Sequence, residues 1–111
     1  MKGKIKVIVK RPDEKVGHVT NISQSLKNLQ NTVGGYIKTV SLPDGVVIIC
    51  NEEGRILGLE HNCIAYGVDF VGTIIVCGRS GDAFADIPIS LAEWKEILAQ
   101  GGAGAPFLKE V

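Results

Sequence analysis

The amino-terminal segment alternates polar and apolar residues, which is the pattern of a β-strand with one buried face. The alternation covers residues 4–10 and stops at Arg11-Pro12-Asp13-Glu14, because proline has no N–H for a β-ladder and aspartate favours turns. Residues 16–19 are predicted to pair back on this strand as a short second strand.

A helical stripe follows the second strand. Its apolar residues are Ile22, Leu26, Leu29 and Val33. Their spacing places them on one side of an α-helix, so we predict a helix over residues 22–33. Asn21 or Ser23 is expected to cap its first turn, and Gly34-Gly35 to form its left-handed end.

The middle of the chain has the pattern of a three-stranded meander. The strands are predicted over residues 36–42, 46–50 and 55–59, with turns at Pro43-Asp44-Gly45 and Asn51-Glu52-Glu53-Gly54. Residues 60–70 show no regular pattern and are expected to be irregular.

The last third of the chain predicts one more strand and one more helix. The apolar run over residues 71–77 favours a strand. Gly78-Arg79-Ser80-Gly81 has the spacing of the KH-domain nucleotide clamp, but it follows a strand-like run, so a hairpin turn is the favoured interpretation. Ser90 and Glu93 form a capping box for a helix that ends at Gly101-Gly102.

Together these elements predict an α+β fold. We expect a twisted, mostly antiparallel sheet of five or six strands, with the helix over residues 22–33 on one face and a C-terminal helix. Residues 46–49 alternate between faces yet are all apolar, which indicates burial on both sides. The C-terminal helix or another subunit is expected to cover the second face. We therefore expect a homo-oligomer, most simply a two-fold dimer.

Length and composition favour a single domain over residues 1–111, with residues 101–111 as a loosely held tail. The 12 Lys and Arg residues balance the 12 Asp and Glu residues, which disfavours direct binding to nucleic acid or an anionic membrane. The longest apolar run is too short to span a bilayer, and no secretory signal is expected. A cytoplasmic protein is the expectation.

The three cysteines, Cys50, Cys63 and Cys77, form no C-x-x-C pair, which excludes a zinc ribbon and a thioredoxin-like motif. They are expected to be small buried apolar residues. His61 lies two residues from Cys63, but catalytic Cys-His pairs normally come from separate elements that fix their geometry. We therefore predict no enzymatic activity, no cofactor and no metal.

Polar, aromatic and arginine side chains at strand ends and turns are the remaining candidates for function. They are Arg11, Tyr36, Asn51, Arg55, His61, Asn62 and Arg79. Arginine suits forked contacts with phosphate, while asparagine and tyrosine suit base edges and stacking. Tyr66 or Phe70 could provide the stacking instead of Tyr36. Each residue taken singly fits an ordinary turn position at least as well.

Four segments, taken in order, resemble an uncharacterised domain family of phages and conjugative elements. They are Gly34-Gly35-Tyr36-Ile37-Lys38-Thr39-Val40, Asn51-Glu52-Glu53-Gly54, Gly58-Leu59-Glu60-His61-Asn62 and Gly72-Thr73-Ile74-Ile75-Val76. The likeness covers residues 4–82. Lys38 stands where members have an acid and Glu60-His61 where they have proline, so the Asn62 loop is expected to differ. The resemblance implies a context rather than an activity, because small proteins of mobile elements often counteract host defence.

The resemblance and the residue mix lead to a functional expectation. It is a non-enzymatic counter-defence protein that sequesters a small anionic nucleotide, cyclic ADP-ribose-like or a cyclic nucleotide, at a subunit interface. The alternative is an inhibitor that binds a host nuclease, CRISPR or restriction complex, which requires an exposed apolar or acidic patch.

Overall fold

The computed structural model describes residues 3–101. Along this part of the chain the elements are β1 (Lys4–Lys10), β2 (His18–Ser23), α1 (Leu26–Val33), β3 (Ile37–Ser41), β4 (Val47–Asn51), β5 (His61–Ala65), β6 (Val68–Val71), β7 (Ile74–Ser80), β8 (Ala83–Ala85) and α2 (Leu91–Gln100). The predicted tail, apart from Gly101, lies outside the described residues.

Six of these strands form one antiparallel sheet. Its order is β2-β1-β7-β4-β3, and β8 pairs with the far end of β7. β5 and β6 form a separate antiparallel hairpin. The predicted α+β class, the mostly antiparallel sheet and the C-terminal helix are confirmed.

The central strands send alternate side chains into two apolar clusters, one on each face of the sheet. In β4, Ile48 belongs to the first cluster and Ile49 to the second. The second cluster is covered by α1 through Leu29. The first is covered by Phe70 of the β5–β6 hairpin and by Trp94 of α2. Both faces of β4 are thus buried within the chain, as predicted, and this burial does not require a second subunit.

Helix α1 is shorter than predicted, because it begins at Leu26 and not at Ile22. Ser25 is its N-cap, whereas the predicted caps Asn21 and Ser23 lie in β2. Ile22 is a half-buried residue of β2 that packs against the second cluster. Ile22 stands four residues before Leu26, which is also the spacing of one helical turn. Its position on the inward face of β2 therefore matched the pattern of a helix.

The predicted third strand of the meander is wrong. Residues 52–58 form a turn-rich loop, in which Ile56 is 86% exposed. The segment expected to be irregular, residues 60–70, instead contains the β5–β6 hairpin. Its two turn residues, Tyr66 and Gly67, have φ angles of 54° and 80°. A type I′ turn requires positive φ at both positions, and tyrosine at the first one hides this turn from sequence patterns.

Two strand boundaries also differ from the prediction. β2 covers His18–Ser23 rather than residues 16–19, and β7 covers Ile74–Ser80 rather than residues 71–77. The hairpin turn after β7 therefore lies at Gly81-Asp82, because Arg79 and Ser80 still pair with β8.

The predicted C-terminal end of α1, the capping box of α2 and the first meander turn are confirmed. Gly34 ends α1 with a φ of 84°. Ser90 Oγ accepts a bond from Glu93 N at 3.0 Å, and Glu93 Oε1 accepts one from Ser90 N at 2.8 Å. The turn at Pro43–Gly45 connects β3 to β4.

Candidate functional site

A cleft of about 330 Å³ lies between the β3–β4 edge of the sheet, the loop over residues 52–58 and strand β6. We call it the Arg55 cleft. Its charged lining residues are Lys38, Glu52, Arg55 and Asp69, and its apolar wall includes Val40 and Phe70. The cleft is therefore apolar in its wall and carries both signs of charge.

The sheet and the loop position the two cations of the Arg55 cleft. Lys38 on β3 pairs with Cys50 on β4, which places both side chains on the sheet face of the first cluster. Arg55 reaches the cleft because Gly54 lets the loop approach β6 closely. A Cβ atom at Gly54 would stand 2.8 Å from Val71 Cγ2.

Arg55 and His61 converge on the carboxylate of Asp69. Arg55 Nη2 donates to the Asp69 carbonyl oxygen at 3.0 Å and lies 3.5 Å from Asp69 Oδ2. His61 Nε2 lies 2.9 Å from Asp69 Oδ1. All three side chains are exposed, so this is a surface ion pair at the rim of the cleft. Two predicted residues are thus brought together by Asp69, which sequence reasoning missed because its strand was not recognised.

Asn51 is buried and holds backbone groups. Its Nδ2 donates to Val33 O at 3.2 Å, and its Oδ1 accepts from Glu53 N at 2.7 Å. The side chain connects the end of α1 to the loop that carries Arg55. Asn51 therefore shapes the Arg55 cleft through the backbone, because its Nδ2 and Oδ1 both bond backbone groups.

Asn62 lies at a second cleft, of about 440 Å³, which we call the Lys10 cleft. Its Oδ1 accepts from Lys10 Nζ at 2.9 Å, and its Nδ2 donates to Lys10 O at 2.9 Å and to Gly72 O at 2.7 Å. Lys10 is only 3% exposed. It shares a strand face with the exposed Lys6, so its burial under the hairpin could not be read from the alternation in β1.

The other predicted residues lie apart from both groups. Arg11 is exposed at the β1–β2 turn, 4.0 Å from Glu14. Tyr36 is exposed and lines a shallow groove with Leu57. Arg79 is exposed near the end of β7. The structure therefore does not join the predicted residues into one site.

Neither alternative stacking residue offers an open ring. Tyr66 and Phe70 are both buried, and both belong to the first apolar cluster. Phe70 contributes to the wall of the Arg55 cleft rather than to its rim.

The three cysteines are free and buried, which agrees with the expectation of small apolar residues. Burial raises the pKa of Cys63 to about 11 and that of Cys77 to about 12, and it also raises the pKa of Cys50. The thiols are therefore protonated at neutral pH, whereas the thiolate is the reactive form.

Metal-binding clusters and membrane-spanning helices are both absent from residues 3–101. No group of three His, Cys, Asp or Glu side chains in this range is arranged to hold a metal ion. No helix in the same range has the length and apolar character needed to cross a membrane.

Comparison with known proteins gives one match. Residues 5–99 fit a family described as a domain of unknown function, DUF3846. No curated protein and no solved structure matches the chain. Since the family match covers all elements from β1 to α2 almost completely, the protein belongs to the DUF3846 family.

Proposed function

We propose that this protein binds a small anionic ligand of the nucleotide class in the Arg55 cleft and does no chemistry on it. The observation that carries this proposal is the presence of Lys38 and Arg55 beside an apolar wall in one cleft. Small-molecule sites typically combine an apolar lining with a few convergent polar groups, in a volume of roughly 300–1,000 Å³.

A nucleotide matches the mixed charge of this cleft. Its phosphate suits Lys38 and Arg55, since ammonium and guanidinium groups bind phosphate through charge-assisted hydrogen bonds. Its ribose hydroxyls or base amino groups suit Glu52 and Asp69, which are acceptors when ionised. The apolar wall at Val40 and Phe70 suits the base.

Arg55 can change partners at modest cost. Its contact with Asp69 Oδ2 is long, at 3.5 Å, and exposed to solvent, so it contributes about 0–1 kcal/mol. The 3.0 Å bond from Nη2 to the Asp69 carbonyl oxygen occupies only part of the guanidinium fork. His61 remains 2.9 Å from the other oxygen of Asp69. A phosphate could therefore take the guanidinium while Asp69 stays with His61.

The proposal places this activity in counter-defence. The resemblance to a family of phages and conjugative elements supports a protein of a mobile element that acts in the cytoplasm of a bacterial host. There it would sequester a cyclic ADP-ribose-like molecule or a cyclic nucleotide. Its protonated thiols support a binding role rather than thiolate catalysis.

The proposed assembly is a homodimer or a higher homo-oligomer that completes the cleft. The loop beside the cleft exposes Ile56 and Leu57, which a second copy could cover. At micromolar concentration, light scattering is expected to give a mass above that of the 11.8 kDa chain. A monomer at that concentration would contradict the proposed homo-oligomer. The ligand site would then consist of residues of a single chain.

Substitution of Arg55 tests the proposed ligand contact. The ligand is first identified by thermal-shift screening against nucleotides and cyclic nucleotides, because binding to the native state raises the melting temperature. Arg55→Ala is then expected to weaken binding roughly 10- to 150-fold, since a charge-assisted contact with phosphate is lost. Arg55→Lys is expected to weaken it as well, because lysine cannot form the forked contact. Titration calorimetry measures both.

Arg79→Ala is the matched control, because Arg79 is also exposed but lies outside the clefts described above. It is expected to bind the ligand as the wild type does. Wild-type affinity in both Arg55 variants, with folding intact, would remove Arg55 from the site. A screen in which no nucleotide raises the melting temperature would contradict the proposed ligand class.

A second candidate function is protein binding, and one observation favours it. Tyr36, Ile56 and Leu57 are large exposed side chains. Ile56 and Leu57 are adjacent in the chain, and Tyr36 lines the same groove as Leu57. Such a patch suits an inhibitor of a host nuclease, CRISPR or restriction complex. Failure of the nucleotide screen would favour this candidate over the first.

A further inference from the structure

We infer that the Lys10 cleft is a separate binding site for a small oxyanion, a phosphate or a carboxylate group. This inference does not depend on the proposed function of the Arg55 cleft. The two clefts share no lining residue.

The first observation is a buried cation that has no anionic partner among residues 3–101. Lys10 is 3% exposed, and within residues 3–101 no carboxylate oxygen lies within 4.0 Å of its Nζ. Within this range, Nζ donates two hydrogen bonds, both to Asn62: one to Oδ1 at 2.9 Å and one to the carbonyl oxygen at 3.5 Å. Buried charges in proteins are normally paired, because an ammonium group loses much of its hydration on burial. The neutral amide of Asn62 supplies hydrogen bonds but no opposite charge.

The second observation is that Lys10 lines an open cleft. An ammonium group has three N–H donors, and Asn62 accepts from two of them. Lys15 and His61 line the same cleft, so Lys10 is not the only nitrogen-bearing side chain among the described residues that line it. Ile64 and Leu98 add an apolar part, which suits a ligand with an oxyanion at one end.

The third observation concerns Glu14, the acidic residue that lines this cleft. Its Oε1 accepts from Arg11 N at 2.8 Å, and its Oε2 lies 2.9 Å from His18 Nδ1. These contacts, led by the backbone bond from Arg11, hold the pKa of Glu14 below its ordinary value. Glu14 is therefore committed to the β1–β2 turn. Lys10 and Lys15 leave an excess of positive charge in the cleft.

Asn62 fixes the position of the Lys10 ammonium group beside the cleft. It is anchored by two bonds of its own to backbone oxygens, those of Lys10 and Gly72. A side chain fixed in this way holds the ammonium group in one position, and a preorganised cation binds an anion with less loss of entropy.

The test measures the melting temperature against increasing inorganic phosphate or acetate, with sodium chloride at matched ionic strength as the reference. It is done in the full-length Arg55→Ala protein, in which the other cleft is expected to bind anions more weakly. We expect phosphate, acetate or both to raise the melting temperature beyond chloride. The two anions distinguish a phosphate site from a carboxylate site. An equal effect of all three salts would overturn the inference.

Two substitutions locate the effect. Lys10→Met is expected to weaken the binding of the anion at least 10-fold. Lys6→Met makes the same change at an exposed position of the same strand and is expected to leave the affinity for the anion unchanged. Ile64→Glu places a carboxylate at the cleft. This carboxylate is expected to compete with the anion and so to weaken its binding. Its control is Val19→Glu, since Ile64 and Val19 are 40% and 44% exposed on strands.

Ile64→Glu also keeps the test decisive if Lys10→Met does not fold, because it changes an exposed position. Unaltered anion binding in Ile64→Glu, or in a folded Lys10→Met protein, would overturn the inference. Arg55→Ala could lose nucleotide binding while phosphate or acetate still raises its melting temperature. That result would support both sites independently.

Discussion

Asn62→Ala is expected to lower the free energy of unfolding by about 3–5 kcal/mol. The substitution removes three hydrogen bonds at a buried position, two to backbone oxygens and one from the ammonium group of Lys10. Each buried group left without a partner costs about 1–3 kcal/mol, and a charged one costs more. The same bonds tie the β5–β6 hairpin to β1, so their loss also weakens the cover of the first cluster.

Urea unfolding followed by the fluorescence of Trp94 measures this change. Asn21→Ala is the control, because Asn21 is exposed on a neighbouring strand, and it is expected to stay within about 0.5 kcal/mol of the wild type. The double variant Lys10→Met/Asn62→Ala is expected to be less destabilised than the sum of the single variants, since no unpaired charge remains. A loss below about 1 kcal/mol in Asn62→Ala would contradict the role of this network.

Leu29→Ala is expected to lower the free energy of unfolding by about 2–5 kcal/mol. Leu29 is 1% exposed and fixes α1 on the second cluster. Truncation of a buried leucine removes apolar contact and leaves a cavity that the neighbouring strands fill only in part. Thermal or urea unfolding measures the change.

Leu26→Ala is the matched control in the same helix, because Leu26 is 58% exposed. It is expected to change the stability by no more than about 0.5 kcal/mol. Equal losses in the two variants would mean that α1 does not bury the face described above.

The elements that were predicted well are those in which local pattern and tertiary environment agree. The apolar run of β4 and the capping box of α2 have one structural interpretation each, and the structure contains both. Ile22 shows the opposite case, because its spacing to Leu26 fits a helix although the residue belongs to a strand. Two periodicities that coincide at one residue cannot be separated by sequence alone.

The candidate site was harder to predict because side-chain roles depend on partners far away in the chain. The sequence indicates Arg55 as a candidate phosphate contact, but its ion-pair partner Asp69 lies on β6, a strand that the sequence pattern did not predict. Asn62 was selected as a ligand contact, yet it bonds Lys10 and Gly72. An asparagine that satisfies buried backbone groups and one that reads a ligand look alike in a sequence.

The separation of the two sheet faces has a consequence for how this chain can change without loss of the fold. Both clefts open on the side of the first cluster, which includes Ile48 and Cys50 of β4, whereas Ile49 packs under α1. Neighbouring positions of one strand therefore accept different kinds of variation. Apart from Val33, whose carbonyl oxygen bonds Asn51, substitutions under α1 are expected to change stability with little effect on cleft shape. Conservative substitutions beneath the hairpin are expected to alter the shape of the clefts. We therefore expect the residues that line the clefts to tolerate different substitutions from those packed under α1.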